Sequence, residues 1–143
     1  MAADILGLLE AIQSILVNDN GVTALVSSSN INIWNSNQIN DAKPSISIAP
    51  LLKNDSKIMP SKRRENVEIQ ITIMENAVNG NNVILDTATA VEEALYLPAN
   101  SNLTVSGDSV RFIDGGNTGY DNSIQASTKA VIITAKYNYD NDI

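Results

Sequence analysis

The sequence contains no cysteine and no histidine. The chain therefore cannot form a disulfide, and it lacks the thiolate and imidazole ligands of most protein zinc sites. A Ser-His-Asp or Cys-His catalytic site within one chain is excluded for the same reason. Proton transfer near neutral pH would have to use other groups, because histidine is the side chain best suited to it. We accordingly predict a protein that is not an enzyme, with no catalytic residue, no metal site and no cofactor.

Aromatic residues are also scarce, at 4% of the chain, whereas hydrophobic residues make up 43% of its 143 residues. The core of a domain of this size is therefore expected to be aliphatic. The formal net charge is −7. This argues against a dedicated nucleic-acid-binding protein, which neutralises phosphates with basic surface. It is compatible with an acidic channel through which DNA slides without sticking.

The first 17 residues are partly apolar, but they carry Asp4 and Glu10 and no basic region. They therefore do not have the pattern of a signal peptide, and no apolar stretch reaches the length of a transmembrane helix. The expectation is a soluble protein, made in a cytoplasm, that makes no membrane contact.

Two segments have the apolar spacing of an amphipathic helix. In residues 3–17 and again in residues 83–97, apolar side chains recur at i, i+3, i+4 and i+7. Asn18 to Gly21 is expected to end the first helix, and Pro98 the second. A short helical turn over residues 22–26 is expected between the first helix and the strands.

Six strands are predicted in two groups of three, separated by the second helix. They cover residues 31–34, 45–48, 65–74, 103–105, 110–113 and 124–139, with polar loops at 35–43, 51–62 and 114–123. In residues 65–74, β-branched residues alternate with polar ones, so this strand should have one buried and one wet face. Helices are then needed on one face only. The sequence therefore predicts an α+β fold, a mostly antiparallel sheet with two main helices on one face, in a single domain over residues 1–143.

Two acidic features of the sequence could be read as a catalytic or ligand-binding site. Glu92 and Glu93 are adjacent on a helix and point about 100° apart, so they are interpreted as a solvated helix face and not as a catalytic pair. Residues 114–121 are rich in Gly, Asn and Asp and offer oxygen ligands. Their spacing is neither that of a calcium-binding EF-hand loop nor that of a phosphate-binding loop. A flexible hairpin or assembly loop is the favoured interpretation, with a calcium site as the alternative.

Three further features are candidates for contacts with partners. Lys62, Arg63 and Arg64 form the one cluster of positive charge in the sequence. They are either a solvated entry to the following strand or a patch that meets an acidic neighbour or a phosphate. Trp34, the single tryptophan, belongs either to the core or sheet edge or to an interface. Tyr137 and Tyr139 share one face of the last strand, where they either cover the sheet or dock on a partner.

The order of these elements resembles tail terminator, or tail-completion, proteins of long-tailed bacteriophages. The resemblance begins with the first helix and the helical piece ending at Val26. It continues through the proline-led segment Lys43-Pro44-Ser45-Ile46-Ser47-Ile48 and the basic step Arg63-Arg64 into Val67-Glu68-Ile69-Gln70-Ile71. The second helix and the closing strands complete it.

The resemblance implies a virion protein in the tail or neck, assembled in the host cytoplasm. It implies a homo-oligomeric ring, typically of six copies, that caps the tail tube protein and meets head–tail connector or stopper proteins. DNA would pass through the lumen without sequence-specific binding. The candidate contacts with neighbouring subunits or partners are Lys62, Arg63, Arg64 and Trp34. The candidate residues of the lumen or of an assembly loop are Asp108, Asp114 and Asp121.

Other classes stay open on the sequence alone. A head-completion protein, a neck adaptor or another ring protein of the portal–tail assembly would have a similar pattern. A small hydrolase or transferase using carboxylates would need a buried glutamate with a raised pKa, and no pair of acids is spaced suggestively. A host binding module without a ring is the remaining alternative.

Overall fold

The computed structural model describes residues 4–33, 44–59, 62–76, 80–125 and 128–142. Within these residues, three α-helices and six strands follow one another in the predicted order. The helices are α1 (Ile5–Val17), α2 (Asn20–Thr23) and α3 (Gly80–Tyr96). The strands are β1 (Ile31–Ile33), β2 (Ser45–Met59), β3 (Lys62–Asn76), β4 (Asn102–Val105), β5 (Asp108–Gln125) and β6 (Thr128–Asp142).

The described strands form one sheet in the order β1-β2-β3-β6-β5-β4. The β1–β2 pair is parallel, and every other neighbouring pair is antiparallel. The apolar sides of α1 and α3 join the buried side chains of the strands in one core. The predicted α+β fold, with a mostly antiparallel sheet and its main helices on one face, is confirmed.

The alternation in β3 decides which face of the sheet is buried. Ile71 is 0% exposed, and its strand partners Ile48 in β2 and Ile133 in β6 are also fully buried. The side chains between the buried ones, such as Thr72, are half-exposed. A β-branched residue at every second position suits this one-sided packing, because its branched side chain fits the pleated surface.

Helix α1 runs across the sheet and reaches both of its edges. At its N-terminus, the Asp4 carboxylate caps the helix by accepting a hydrogen bond from the Gly7 amide at 2.9 Å, and it also accepts one from the Ser106 hydroxyl in the β4–β5 turn. The Ser106 and Gly7 bonds hold the pKa of Asp4 below its usual value. Further along, Gln13 Nε2 donates to the Ile31 carbonyl of β1 at 3.0 Å.

Gly7 is needed for the close approach of α1 to β4. A Cβ atom at this position would lie 2.8 Å from Val105 Cγ1 and 2.5 Å from Asp4 Oδ2. Any side chain would therefore push the start of the helix away from the sheet.

Two of the predicted loops are wrong. Residues 51–59 continue β2, and residues 114–123 belong to β5. Strand β2 passes through Pro50, which a sheet tolerates at an edge, with a register shift between Pro50 and Leu52. Strand β5 absorbs its glycines through register shifts at three places. The start predicted for the last strand is also wrong, because residues 124 and 125 belong to β5. The predicted loop at 35–43 and Trp34 lie outside the described residues.

Strands β2, β3 and β6 are each 15 residues long. At about 3.3 Å per residue they extend for roughly 50 Å. Helix α3 has 17 residues and is only about 25 Å long. The sheet is therefore considerably longer than the helix that packs on it. Among the described helices, none combines the length and the apolar character needed to cross a membrane.

Candidate assembly surface

The described residues place no helix on the side of the sheet opposite α1 and α3. We call it the helix-free face. Its side chains come from β2, β3, the start of β5 and β6, and most are half-exposed or exposed. They are Ser47, Ala49, Asn66, Glu68, Gln70, Thr72, Met74, Ile113, Lys136 and Asn138.

One open groove of about 420 Å³ runs along the helix-free face between β2 and β3. Small residues of β2, Ser47 and Ala49, stand opposite the longer Thr72 and Gln70 of β3. The difference in side-chain size produces the groove. Gln70 Nε2 and Thr72 Oγ1 approach to 3.4 Å along its wall. The groove is thus a shallow, uncharged depression with amide and hydroxyl groups.

A second open groove, of about 360 Å³, lies over the β3–β6 pair. Glu68 and Lys136 face each other across the two strands, with Lys136 Nζ 3.9 Å from Glu68 Oε1. Ile113 borders the groove because it follows the buried Phe112 and side chains alternate along a strand, and 47% of it is exposed. A solvated ion pair beside an exposed isoleucine is typical of a contact surface and not of an enclosed active site.

The register shift between Phe112 and Asp114 in β5 is held in place by the end of α3. The Tyr96 hydroxyl donates to Asp114 Oδ1 at 2.7 Å and accepts from the Gly115 amide at 3.1 Å. Its ring packs edge-on against Phe112, with ring centroids 5.0 Å apart, and Phe112 in turn packs against Tyr137. A Cβ on Gly115 would lie 3.0 Å from Phe112 Cζ, so the glycine leaves room for the Phe112 ring.

The same contacts shift the pKa of Tyr96. The Gly115 amide acts to lower this pKa, but the hydrogen bond to Asp114, burial and the charges of Asp114 and Glu92 outweigh it, so the pKa is raised. The hydrogen bond from Tyr96 to Asp114 also connects the end of α3 to β5, although the Asp114 side chain is exposed.

The three acidic residues predicted for the lumen or for an assembly loop are spread along β5. Asp108 begins β5 beside the β4–β5 turn, Asp114 pairs with Lys136 in β6, and Asp121 pairs with Ala130. Six or seven residues separate each from the next, which is about 20 Å in a strand. They do not form a cluster. Among the side chains that the structure describes, no group of three or more acidic residues is placed to hold a metal ion.

The basic cluster lies where β3 begins, and the fold brings acidic residues of the same chain beside it. In the β3–β6 register, Lys62 is the partner of Asp142 and Arg64 is the partner of Asp140, while Arg63 is opposite Asn141. Residues of opposite charge in directly opposed positions favour this pairing. An acidic neighbouring subunit was the partner expected from the sequence, whereas the β3–β6 register places Asp140 and Asp142 of the same chain beside the cluster.

Tyr137 and Tyr139 lie on the buried face of β6, so they cover the sheet. Burial raises the pKa of both hydroxyls above the ordinary value of 10.0, and the charges of Asp4, Asp108 and Glu65 add to the effect at Tyr139. The Tyr139 hydroxyl donates to the Asp4 carbonyl at 3.2 Å, which ties β6 to the start of α1. The side chains of this last strand thus hold one end of the core together.

No protein-family model and no curated protein matches the chain. Solved structures do match it, and they define its class as an α+β domain of known fold. A chain from the virion of a native gene transfer agent particle matches with a TM-score of 0.75 and 17% sequence identity, over 98% of this chain and 100% of that one. A second solved chain matches with a TM-score of 0.58 and 12% identity, over 91% and 94% of the two chains. At these identities the likeness is one of fold.

Proposed function

We propose that this chain is a structural protein of a phage-like virion, with no enzymatic role, and that its single domain over residues 1–143 assembles into a homo-oligomeric ring. The ring, of six copies, caps the tail tube and joins it to the head-side connector proteins. The observation that carries the proposal is the match to a gene transfer agent virion chain over 98% of this chain and all of the other. A match of this extent spans nearly the whole chain, and not merely a common pair of elements.

The shape of the sheet supports an assembling protein. A ring made from one chain needs two different surfaces on each copy, one for each neighbour. The helix-free face carries two open grooves, polar side chains and the exposed Ile113. These features suit a surface that contacts other proteins or lines a water-filled passage better than they suit a catalytic cavity.

The charges support passage of DNA without tight binding. The net charge is −7, and Asp108, Asp114 and Asp121 are distributed along the length of β5. If β5 lies near the lumen, these carboxylates repel the phosphate backbone along the passage. The cluster Lys62, Arg63 and Arg64 then serves contacts at the opposite end of the sheet from Gln125 and Thr128, and Trp34 remains a proposed contact with a partner.

The test is the state of assembly of the purified chain. Native mass spectrometry is expected to show one closed oligomer of defined copy number, and negative-stain microscopy is expected to show rings. Rings incubated with uncapped tail tubes should bind at one end of each tube. Binding to head-side connectors without binding to tubes would indicate a head-completion protein instead. A chain that remains monomeric at high concentration and binds neither component would contradict the proposal.

A further inference from the structure

Strands β2 and β5 are much longer than β1 and β4, the short strands that pair with their outer edges. On one side, β1 pairs with β2 only at Ile46 to Ile48. On the other, β4 pairs with β5 only from Asp108 to Arg111. In the described part of the chain, no strand pairs with the outer edge of β2 over residues 49–59 or with the outer edge of β5 beyond Arg111. The amides of Phe112 and Gly115 already donate to the Ser101 carbonyl and the Tyr96 hydroxyl, so β5 has an open edge over residues 116–125. We call these the two open edges. Unpaired N–H and C=O groups along an edge are a template for another strand.

We propose that neighbouring copies of this chain join at these edges, with the open edge of β2 pairing antiparallel to the open edge of β5 of the next copy. This inference rests on the proposed ring and specifies how its copies meet. The sheet then continues from one subunit to the next around the ring. The two edges differ from each other, which is the requirement for a heterologous contact that closes.

The strand directions fit this pairing. Strand β2 is antiparallel to β3, β3 to β6 and β6 to β5, so β2 and β5 run in opposite directions within one copy. Rotation about a ring axis leaves the direction of each strand along that axis unchanged. Strand β2 of one copy therefore meets β5 of the next in the antiparallel sense, like the rest of this part of the sheet.

The positions of the two edges along the sheet also fit a closed ring. Measured on β3, the open edge of β2 lies beside residues 62–70 and the open edge of β5 is level with residues 70–76. Their midpoints are offset by about seven residues, which is about 23 Å. Four strands at about 4.8 Å make about 19 Å of width per copy. The edges come level if the strands tilt by about 50° from the ring axis, slightly more than the 35–45° tilt of closed sheets.

The charges of the two edges are complementary. Residues 49–59 include Lys53 and Lys57 with one acid, Asp55, whereas residues 116–125 include Asp121 and no basic residue. Pairing β5 with a second β5 would bring acids together, and pairing β2 with β5 brings opposite charges together. Gly116 and Gly119 in the open edge of β5 also allow a close backbone approach.

The edges have features that restrict which partner can pair. Pro50 and the register shifts at Pro50–Leu52 and Lys57–Met59 bound one regular stretch of β2, Leu52 to Lys57. Proline, lysine and bulges are also the devices by which proteins prevent indiscriminate edge pairing. Here they leave a six-residue stretch, which suits one specific partner and does not favour open-ended fibres.

Charge reversal is the first arm of the test. The variant Lys53→Glu/Lys57→Glu is expected to need about tenfold higher concentration to assemble, because the new acids then lie on the edge that meets Asp121 of the next copy. Adding Asp121→Lys to this variant should restore a large part of the assembly. The control is Arg111→Glu, which reverses an exposed cation on the part of β5 that β4 already covers, and it should assemble like the wild type. Circular dichroism checks that each variant is folded.

Cysteine cross-linking is the second arm, and it uses the absence of native cysteine. Asn54→Cys is combined in turn with Asn117→Cys and with Thr118→Cys, since neighbouring strand positions point to opposite faces. At least one pair is expected to oxidise to a ladder of covalent oligomers that ends at the ring size, while each single variant stays uncross-linked. This arm decides the question if the charge-reversed chain does not fold.

The outcomes separate the two proposals. Wild-type rings with unaffected charge variants and no ladder would overturn the edge pairing and leave the ring intact. A dimer formed by Asn54→Cys alone would show β2 pairing with itself and would also overturn it. A wild-type chain that never assembles overturns the ring and the edge pairing together.

Discussion

The two faces of the same strands have different compositions and, we infer, different roles. Along β3, Ile69, Ile71 and Ile73 are fully buried under the helices, and the alternating Gln70 and Thr72 stay half-exposed on the helix-free face. The two sets are separated by one residue in sequence. On the first face a lost methyl group leaves a cavity, while on the second it removes only solvated contacts. We therefore expect substitutions on the helix-free face to leave the stability of the subunit largely unchanged.

The largest effect is expected from truncating the buried face. Ile71→Ala should lower the free energy of unfolding by about 3 to 4 kcal/mol, because Ile71 packs between Ile48 and Ile133 and the cavity cannot fill. Thr72→Ala, one residue away on the helix-free face, should change it by less than about 1 kcal/mol. Urea denaturation of the two variants measures both. Similar losses in the two would contradict the assignment of the faces.

The next effect is expected where β5 meets the end of α3. Gly115→Ala should cost about 1 to 3 kcal/mol, because the new Cβ lies 3.0 Å from Phe112 Cζ and 3.2 Å from Phe112 Cε2. The double variant Gly115→Ala/Phe112→Leu should cost less than the sum of the two single variants, since the smaller side chain relieves the overlap. Additive losses in urea denaturation would show that this contact does not limit the packing.

A smaller effect is expected at the two buried tyrosines. Tyr139→Phe should cost about 1 kcal/mol, because it removes the hydrogen bond to the Asp4 carbonyl. Tyr137→Phe should be neutral or slightly stabilising, since the buried Tyr137 hydroxyl has no hydrogen-bond partner among the described residues. Thermal or urea unfolding at neutral pH compares them. A larger loss for Tyr137→Phe than for Tyr139→Phe would contradict this order.

The same tyrosines predict the response to alkali. Burial raises the folded-state pKa of both above 10.0, so the unfolded chain releases these protons first. Their contribution to stability is complete below pH 10 and falls as the pH rises above it, by up to about 1.4 kcal/mol per pH unit for each group. Each Tyr→Phe variant should have a flatter alkaline profile than the wild type in urea titrations. An unchanged slope would show that these groups titrate normally in the folded protein.

The elements predicted correctly from the sequence are those in which apolar side chains recur with the period of a helix or a strand. The first helix, predicted at residues 3–17, was observed as Ile5–Val17, and β3 was recognised by its alternation. Hydrophobic periodicity reports a buried face and not backbone pairing. Residues 51–59 and 114–123 carry little of it, so strands that pair over those residues were predicted as loops.

Contacts between residues that are far apart in the sequence could not be predicted from the sequence alone. Asp140 and Asp142 are acids near the end of the last predicted strand, so the sequence does contain possible partners for the basic cluster. Placing them opposite Arg64 and Lys62 requires the register of β3 and β6, which a single sequence does not fix. The contact of Tyr96 with Asp114 depends in the same way on where α3 ends relative to the register shift in β5.

The smallest effect is expected on the helix-free face itself. Glu68 and Lys136 are 26% and 51% exposed and 3.9 Å apart, so their attraction is screened by water. Glu68→Gln and Lys136→Ala should each change the free energy of unfolding by less than about 0.5 kcal/mol, and added salt should reduce the difference further. A loss above about 1 kcal/mol would mean that this face contributes to the stability of the isolated subunit. A change in ring formation without a change in stability would instead place the helix-free face among the assembly contacts, beside the two open edges.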